Sequence, residues 1–227
     1  MPKSKRDKTV SLTKTNKKDR SSKKVYIDKV RAAVGECSSV YLLTFDTMRA
    51  RQFKGIRAQW RDSYLFLGKN KLHQVALGKG PEDELVDGMH QLSKRVVGNC
   101  ALLVTSRPRA EVEEYFRNFR PKEYVTSGWV ADADRTIAKG PYPQFMNGEL
   151  QVLRNFGLVV EIHDKMVTLI EDFQVCKKGH PVNVSQAKVL EKFEMPLETF
   201  RITVDCAVAD GSYEELDVDN GVAAMER

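Results

Sequence analysis

Lys54, Arg57 and Arg61 recur at helical intervals, and Gly68-Lys69-Asn70-Lys71 follows a few residues later. On a helix turning about 100° per residue, those three cations share one arc, with Arg51 beside them and Arg49 in the first turn. Phe53, Ile56 and Trp60 fall within a neighbouring arc of about 60°, which predicts a buried stripe flanked by a basic face. The chemistry open to such a face is anion binding. Gly68 permits a tight turn, and a helix starting near Asn70 offers free backbone N–H groups to a phosphate, with Lys69 and Lys71 beside it. A merely solvated basic surface is the plain alternative for the helix taken alone. The candidate contact residues are Lys23, Lys24, Arg49, Lys54, Arg57, Arg61, Lys69, Asn70 and Lys71. Asn70 has a second reading as a cap of its own helix. Phe53 and Trp60 lie on the apolar stripe and read as core rather than as stacking platforms, as do Tyr41, Phe45 and Tyr64.

These side chains need elements to hold them. Val25-Tyr26-Ile27, Val30 and Val34 repeat at helical spacing, with Gly35 as a stop. Ser39 to Thr44 is short, apolar and rich in strand formers. Asp46 or Thr47 can cap a helix running to about Arg61, Tyr64 to Leu67 is a second strand, and a short helix covers Lys71 to Leu77. Gly78-Lys79-Gly80-Pro81 breaks the chain before a helix predicted over Glu82 to Arg95. Ala101 to Thr105 is a third strand, and Arg109 to Phe119 a helix with its acids early. Strands separated by helices predict βαβ units, an α/β class and a largely parallel sheet covered on both faces. In such sheets ligands lie beyond the carboxyl ends of the strands, where Lys69 and Lys71 emerge.

Past Arg120-Pro121 the pattern becomes that of a smaller module. Trp129 to Ala131 is strand-like, and Glu149 to Phe156 reads as a helix ended by Gly157. Val159 to Ile162 and Met166 to Ile170 form strands joined at His163-Asp164, and Lys177 to Pro181 makes a further turn. Ser185 caps a helix to Phe193, and Phe200 to Val204 is a closing strand whose sheet the pattern leaves open.

Composition excludes several classes. A mean hydropathy of −0.44 and the lack of any apolar run of about 18 residues predict a soluble globular chain without a membrane helix. The four cysteines have no Cys-x-x-Cys pair and the four histidines no ligand spacing, so a reduced compartment is expected and a metal site is not. Charge is uneven: residues 1–24 carry ten Lys/Arg against two acids, and residues 205–227 carry seven acids against one arginine. A basic arm without large apolar residues is expected to be disordered and to meet nucleic acid or serve as a nuclear address, with a solubilising tail as the alternative. An α/β enzyme on a phosphorylated substrate would need a glycine-rich phosphate loop or a nucleophile–His–acid set. Gly78-Lys79-Gly80-Pro81 is too poor in glycine, and its proline lacks an N–H. No enzyme activity and no cofactor are expected.

In series, Phe45-Asp46-Thr47-Met48-Arg49, Gln52-Phe53-Lys54-x-Ile56-Arg57 and Leu65-Phe66-Leu67-Gly68-Lys69-Asn70-Lys71 resemble the ribosomal stalk-base family, large-subunit protein L-ten or, in eukaryotes, P-zero. Gly140-Pro141, Leu153 to Gly157, Val175 to Gly179 and Ser185 to Leu190 before Met195-Pro196 are similar to the insertion domain of its eukaryotic and archaeal members. Met1 to Lys5, Phe45 to Arg49 and Val175-Cys176-Lys177 are most similar to an assembly-factor branch. So is a chain that ends in a short acidic stretch, without the stalk-dimer anchor and Phe-containing tail of the mature protein.

The resemblance implies an L-ten-like rRNA-binding α/β domain over 22–118 plus 193–214, with an inserted α+β domain over 119–192. A basic disordered arm over 1–21 and an acidic tail over 215–227 complete the expected layout. It further implies binding to the stalk-base region of large-subunit rRNA in pre-60S particles, as a placeholder later replaced by the mature stalk protein. The implied partners are pre-60S proteins and a phosphatase-like release factor, without acidic stalk dimers or membrane. The implied location is nucleolus and nucleus, with shuttling to the cytoplasm left open. A truncated stalk protein is the alternative. His163-Asp164-Lys165 departs from the family, whose inserts tend to have Lys-Gly there.

Overall fold

A computed structural model describes residues 19–216, in two compact units: the residues up to Phe119 together with those from Ile202 onward, and Arg120–Arg201. Most of the arm expected over 1–21 and of the tail expected over 215–227 lies outside the described residues. The first unit opens with α1 (Arg20–Glu36), β1 (Ser39–Thr44), α2 (Ala50–Gln59), β2 (Tyr64–Phe66), α3 (Asn70–Leu77), α4 (Met89–Arg95), β3 (Cys100–Thr105) and α5 (Arg109–Asn118). The second holds β4 (Lys122–Glu123), β5 (Arg135–Ile137), β6 (Gly140–Pro141), α6 (Leu150–Asn155), β7 (Val160–His163), β8 (Met166–Leu169), β9 (Phe173–Cys176), α7 (Val184–Lys192) and β10 (Glu198–Thr199). The chain then returns to the first unit as β11 (Thr203–Ala209) and β12 (Ser212–Glu215).

The first unit's sheet has the order β12-β11-β1-β3-β2, and every pairing in it is antiparallel. This overturns the largely parallel sheet expected from alternating helices and strands. The α2 crossover does link two parallel strands, β1 and β2, but β3 lies between them and runs the other way. Spacing along the chain reports that a crossover exists, not which strand later fills the gap it leaves. The closing strand that the pattern left open is β11, paired with β1 from Ser39↔Ala209 to Thr44↔Thr203.

Burial explains the covering helices. All six residues of β3 are buried, so the sheet is covered on both faces. Val40, Leu42, Leu102, Val104, Cys206 and Val208 pack with Val30, Ala33 and Val34 of α1, Ala76 and Leu77 of α3, and Leu92 of α4. Residues alternating with these, Tyr41, Leu43, Ala101 and Leu103, are also buried and by the pleat face the other side. There α2 supplies Phe53 and Ile56, and α5 supplies Val112 and Phe116. Trp60, just past α2, joins these helices through Tyr115 and Phe116 at ring distances of 5.1 and 5.9 Å.

Several helix boundaries differ from expectation: α1 runs past Gly35 to Glu36, and α2 follows Arg49, not an Asp46 or Thr47 cap, and ends at Gln59. The helix expected over Glu82 to Arg95 is confined to Met89–Arg95, because Gly88 is left-handed (φ 85°) and cannot continue a right-handed turn. The Glu84 carboxylate instead accepts the His90 backbone N–H at 3.0 Å. In the second unit Asn183, not Ser185, caps α7: its Oδ1 accepts from Gln186 N, and Gln186 Oε1 accepts from Asn183 N, both at 2.8 Å.

The second unit closes its core with Ile137, Leu153, Val160, Val167, Leu169, Val175 and Leu190. Its β7–β8 hairpin turns at Asp164 and Lys165, whose φ angles are 50° and 66°. A two-residue turn of this hand favours Asn-Gly because side chains crowd the backbone at positive φ. Lys165→Gly should therefore stabilise the protein by about 0.5–1 kcal/mol, after allowing for the extra freedom glycine gives the unfolded chain. Urea melts will check this, and an unchanged or lower midpoint would mean that the turn carries no such strain.

Candidate nucleic-acid interface

Because β1 and β2 run parallel on either side of β3, the helices that follow them, α2 and α3, both start at the same end of the sheet. Helix α1 reaches it too. It packs alongside α3 in the same direction, since Tyr26 meets His73 while Arg31, further on, donates to the carbonyls of Val75 and Ala76. Three helix N-termini thus converge on one edge, and each end carries a partial positive charge. None of the three has an acidic residue in its first turn, and none has a side-chain capping bond among the described residues. The N-cap residues of α2 and α3 are Arg49 and Lys69, the inverse of what a free helix start favours, at a cost of about 0.3–1 kcal/mol each. An anion at this edge removes the conflict.

Several arginines of the unit are engaged in ion pairs. Arg95 pairs with Asp205, Arg107 with Asp62 and Glu111, and Arg109 with Glu113 and Glu214. Lys23, Lys24, Lys54, Lys69 and Lys71 are exposed and form no ion pair among the described residues. The sequence-predicted set therefore divides. Lys23, Arg49, Lys69 and Lys71 sit in or beside the three helix starts, with Lys24 on α1 next to Lys23. Lys54 and Arg57 lie one and two turns further along α2, and Arg57 donates to the Leu65 carbonyl at 3.3 Å. Arg61 lies beyond α2, in the turn that enters β2 at the opposite end of the sheet, where Ser63 bonds Thr105 at 2.7 Å. The fold does not bring Arg61 to the edge.

Between the helix starts lies an open cleft of about 260 Å³. Its walls are Phe45 and Met48 after β1, Leu67 and Gly68 after β2, Asn70 of α3, and the Gly98–Cys100 stretch that opens β3. Two amides pin the walls together. Asn70 Nδ2 donates to Gly98 O at 2.8 Å, and its Oδ1 accepts from the Cys100 thiol at 3.3 Å. Asn99 Nδ2 donates to Asp46 O at 2.7 Å, and the Asn99 backbone carbonyl accepts from Phe45 N at 3.2 Å. Burial pushes the Cys100 thiol up to about 11, so it stays protonated and able to donate. The sequence reading missed Asn99 and the cleft. Its only cue was an Asn-Cys step before a buried strand, meaningful once the strand order is known.

Beneath the edge, Tyr26 of α1 covers Gly68. A β-carbon at Gly68 would stand 2.3 Å from Tyr26 Oη and 2.6 Å from its Cζ, so any side chain here must displace the Tyr26 phenol. Tyr26 Oη and His73 Nε2 share a 2.6 Å hydrogen bond, and the Tyr26 ring also meets Phe66 edge-on. Burial drives the Tyr26 phenol up to about 12, against a lesser opposing pull from Arg57, and drives His73 down to about 4. His73 is thus a neutral part of the packing, and among the described residues no group of three or more His, Cys, Asp or Glu gathers to hold a metal.

An α/β unit whose edge gathers three uncapped basic helix starts, joined to a second unit of short strands, has the build of a ribosomal-protein-type module. The family model for ribosomal protein L10 matches residues 18–120, and the model for the insertion domain of its 60S counterpart matches residues 126–195. The chain is 32% identical over 204 residues to the ribosome assembly factor mrt4 of Dictyostelium discoideum, covering 90% of this chain and 92% of that one. It is 30% identical over 247 residues to mrt4 of Neurospora crassa, covering 100% and 98%. Against the large ribosomal subunit protein uL10 of Saccharomyces cerevisiae it is 25% identical, covering 82% of this chain and 59% of that one. The chain belongs to the Mrt4 family of ribosome assembly factors, within the wider L10 group.

Two measurements test the edge. Gly68→Ala should destabilise by about 1–3 kcal/mol through overpacking, and Tyr26→Ala should absorb part of that loss in a double-mutant cycle. Strict additivity would show that Tyr26 does not press on Gly68. Because His73 is held neutral in the fold but titrates near its ordinary value when unfolded, stability is full above about pH 6.5 and falls as pH drops toward 4. The loss between pH 7 and pH 5 should be about 2 kcal/mol in urea melts and should vanish in His73→Leu.

Proposed function

We propose that this chain acts in large-subunit assembly by binding the stalk-base region of rRNA in pre-60S particles through the edge where α1, α2 and α3 begin. It holds that site until the mature stalk protein replaces it. The observation that carries the reading is the convergence of three uncapped helix starts with Lys23, Arg49, Lys69 and Lys71 at one end of one sheet. Membership among ribosome assembly factors supplies the setting, and none of the relatives named above is an enzyme by its name.

Binding here is phosphate neutralisation on a shaped RNA surface. Lys and Arg displace condensed counterions, so affinity falls steeply with salt, and recognition of a folded RNA rests on its backbone and ribose contacts. Pre-60S proteins are the remaining partners, with release assisted by a phosphatase-like factor. The site of action is nucleolar and nuclear.

The test uses the full chain and a stalk-base rRNA fragment. Replacing Lys23, Lys69 and Lys71 together with Gln should weaken binding at least ten-fold near physiological salt and flatten the log–log salt slope by about 2–3. Arg61→Gln, at the far end of the sheet, should leave affinity within about two-fold, while thermal midpoints stay unchanged in both. An unaltered slope in the triple variant would refute the assigned surface.

A further inference from the structure

The cleft inside this edge has a chemistry of its own. None of its eight lining residues is charged, although Lys69 and Lys71 flank it and Arg49 starts the helix beside it. Its volume of about 260 Å³ falls below the roughly 300–1,000 Å³ that accommodates a drug-sized ligand, so it admits one small group rather than a helix or a strand. One wall is the half-buried Phe45, set edge-on against Phe53 at 4.8 Å, and next to it Met48 is 51% exposed. Leu67 closes the apolar side.

The opposite side is polar. Asn70 and Asn99 each commit one amide hydrogen to the bonds that pin the walls, which leaves each with a second donor and spare acceptor capacity. A hydrocarbon side chain entering the cleft would leave those groups unsatisfied, whereas the edge of a base can pair with them. A neutral, flat, hydrogen-bonding group tethered to an anionic chain is what a neutral cleft ringed by cations selects.

We propose that this cleft receives a single unstacked nucleobase of the bound RNA, held between Phe45, Met48 and Leu67 on one side and the amides of Asn70 and Asn99 on the other. This rests on the reading of the surrounding edge as an RNA surface. The flanking phosphates then lie against the starts of α2 and α3, so that one nucleotide engages charge and cleft together. Because Asn70 and Asn99 already fix the walls, the cleft is formed before RNA arrives, and little ordering opposes entry. It adds selectivity for an unpaired position that the basic rim, which reads phosphate alone, does not have.

The experiment measures affinity of the full chain for the stalk-base rRNA fragment and for a series with one abasic substitution at each unpaired nucleotide. One position should cost about ten-fold when its base is removed. Met48→Ala, a change at an exposed side chain, should weaken intact RNA several-fold yet make no further difference on that one abasic RNA. If every abasic RNA binds within about two-fold of the intact one while salt-dependent binding persists, the cleft takes no base and the rim alone is the site. If no RNA binds in a salt-dependent way, the interface reading falls with it. A Met48→Ala variant that keeps full RNA affinity but loses a crosslink to a pre-60S protein would assign the cleft to a peptide and overturn the proposal.

Discussion

The antiparallel run of β3 between β1 and β2 is the constraint on which the rest depends. It forces the crossover through α2 to span β3, and it sets the exits of β1 and β2 at the same end of the sheet, on either side of that strand. Two helices must then begin at one edge, and α1, packed along α3, adds a third. A continuous parallel sheet would also have gathered strand exits there, but the start of β3 would be missing. Gly98, Asn99 and Cys100 are what close the cleft between the helix starts and tie its walls.

How far the sequence reaches follows from what a periodicity contains. The stripe of Phe53, Ile56 and Trp60 is a property of one helix and its margin, and all three are buried. Lys69 and Lys71 were legible because a glycine after an apolar strand fixes where the chain turns. Arg61 shows where the reading runs out. An angular projection puts it beside Lys54 and Arg57, but it discards height along the axis, and seven residues advance the chain by about 10 Å. The helix also ends at Gln59, so the projected angle does not hold at Arg61. Asn70 was read as a contact or a cap. It is not the N-cap, and Gly98 and Cys100, nearly thirty residues on, already bond both ends of its amide while leaving one N–H to offer. That bond depends on strand order, which no local pattern carries.

The contact of Tyr26 with Gly68 belongs to the same class of invisible constraint. From the sequence, Tyr26 is one more member of an apolar helix stripe, and Gly68 is a turn residue wanted for flexibility. In the fold the glycine is needed for space, because a phenol occupies the position where its side chain would stand. The buried Tyr26–His73 hydrogen bond fixes that phenol and therefore the height at which Lys69 and Lys71 leave the sheet. A partly buried polar pair thus sits beneath the exposed Lys69 and Lys71.

Above that pair, two of the three helix starts, α2 and α3, are built against their own dipoles, whereas α1 follows Asp19. Elsewhere the unit pairs several of its arginines. Arg107 lies 4.3 Å over the Trp60 ring while pairing with Asp62 and Glu111, and Arg95 and Arg109 tie β11 and β12 to the helices. At the starts of α2 and α3 the local choices run against the fold, and a sequence is expected to break its own rules where it binds something. Acidic caps at Arg49 and Lys69 would each relieve the free protein by a few tenths of a kcal/mol up to about 1. They would also place negative charge where the proposed phosphates lie. Under the proposed function, the lysines that form no ion pair among the described residues are one half of an electrostatic pairing whose other half the RNA supplies.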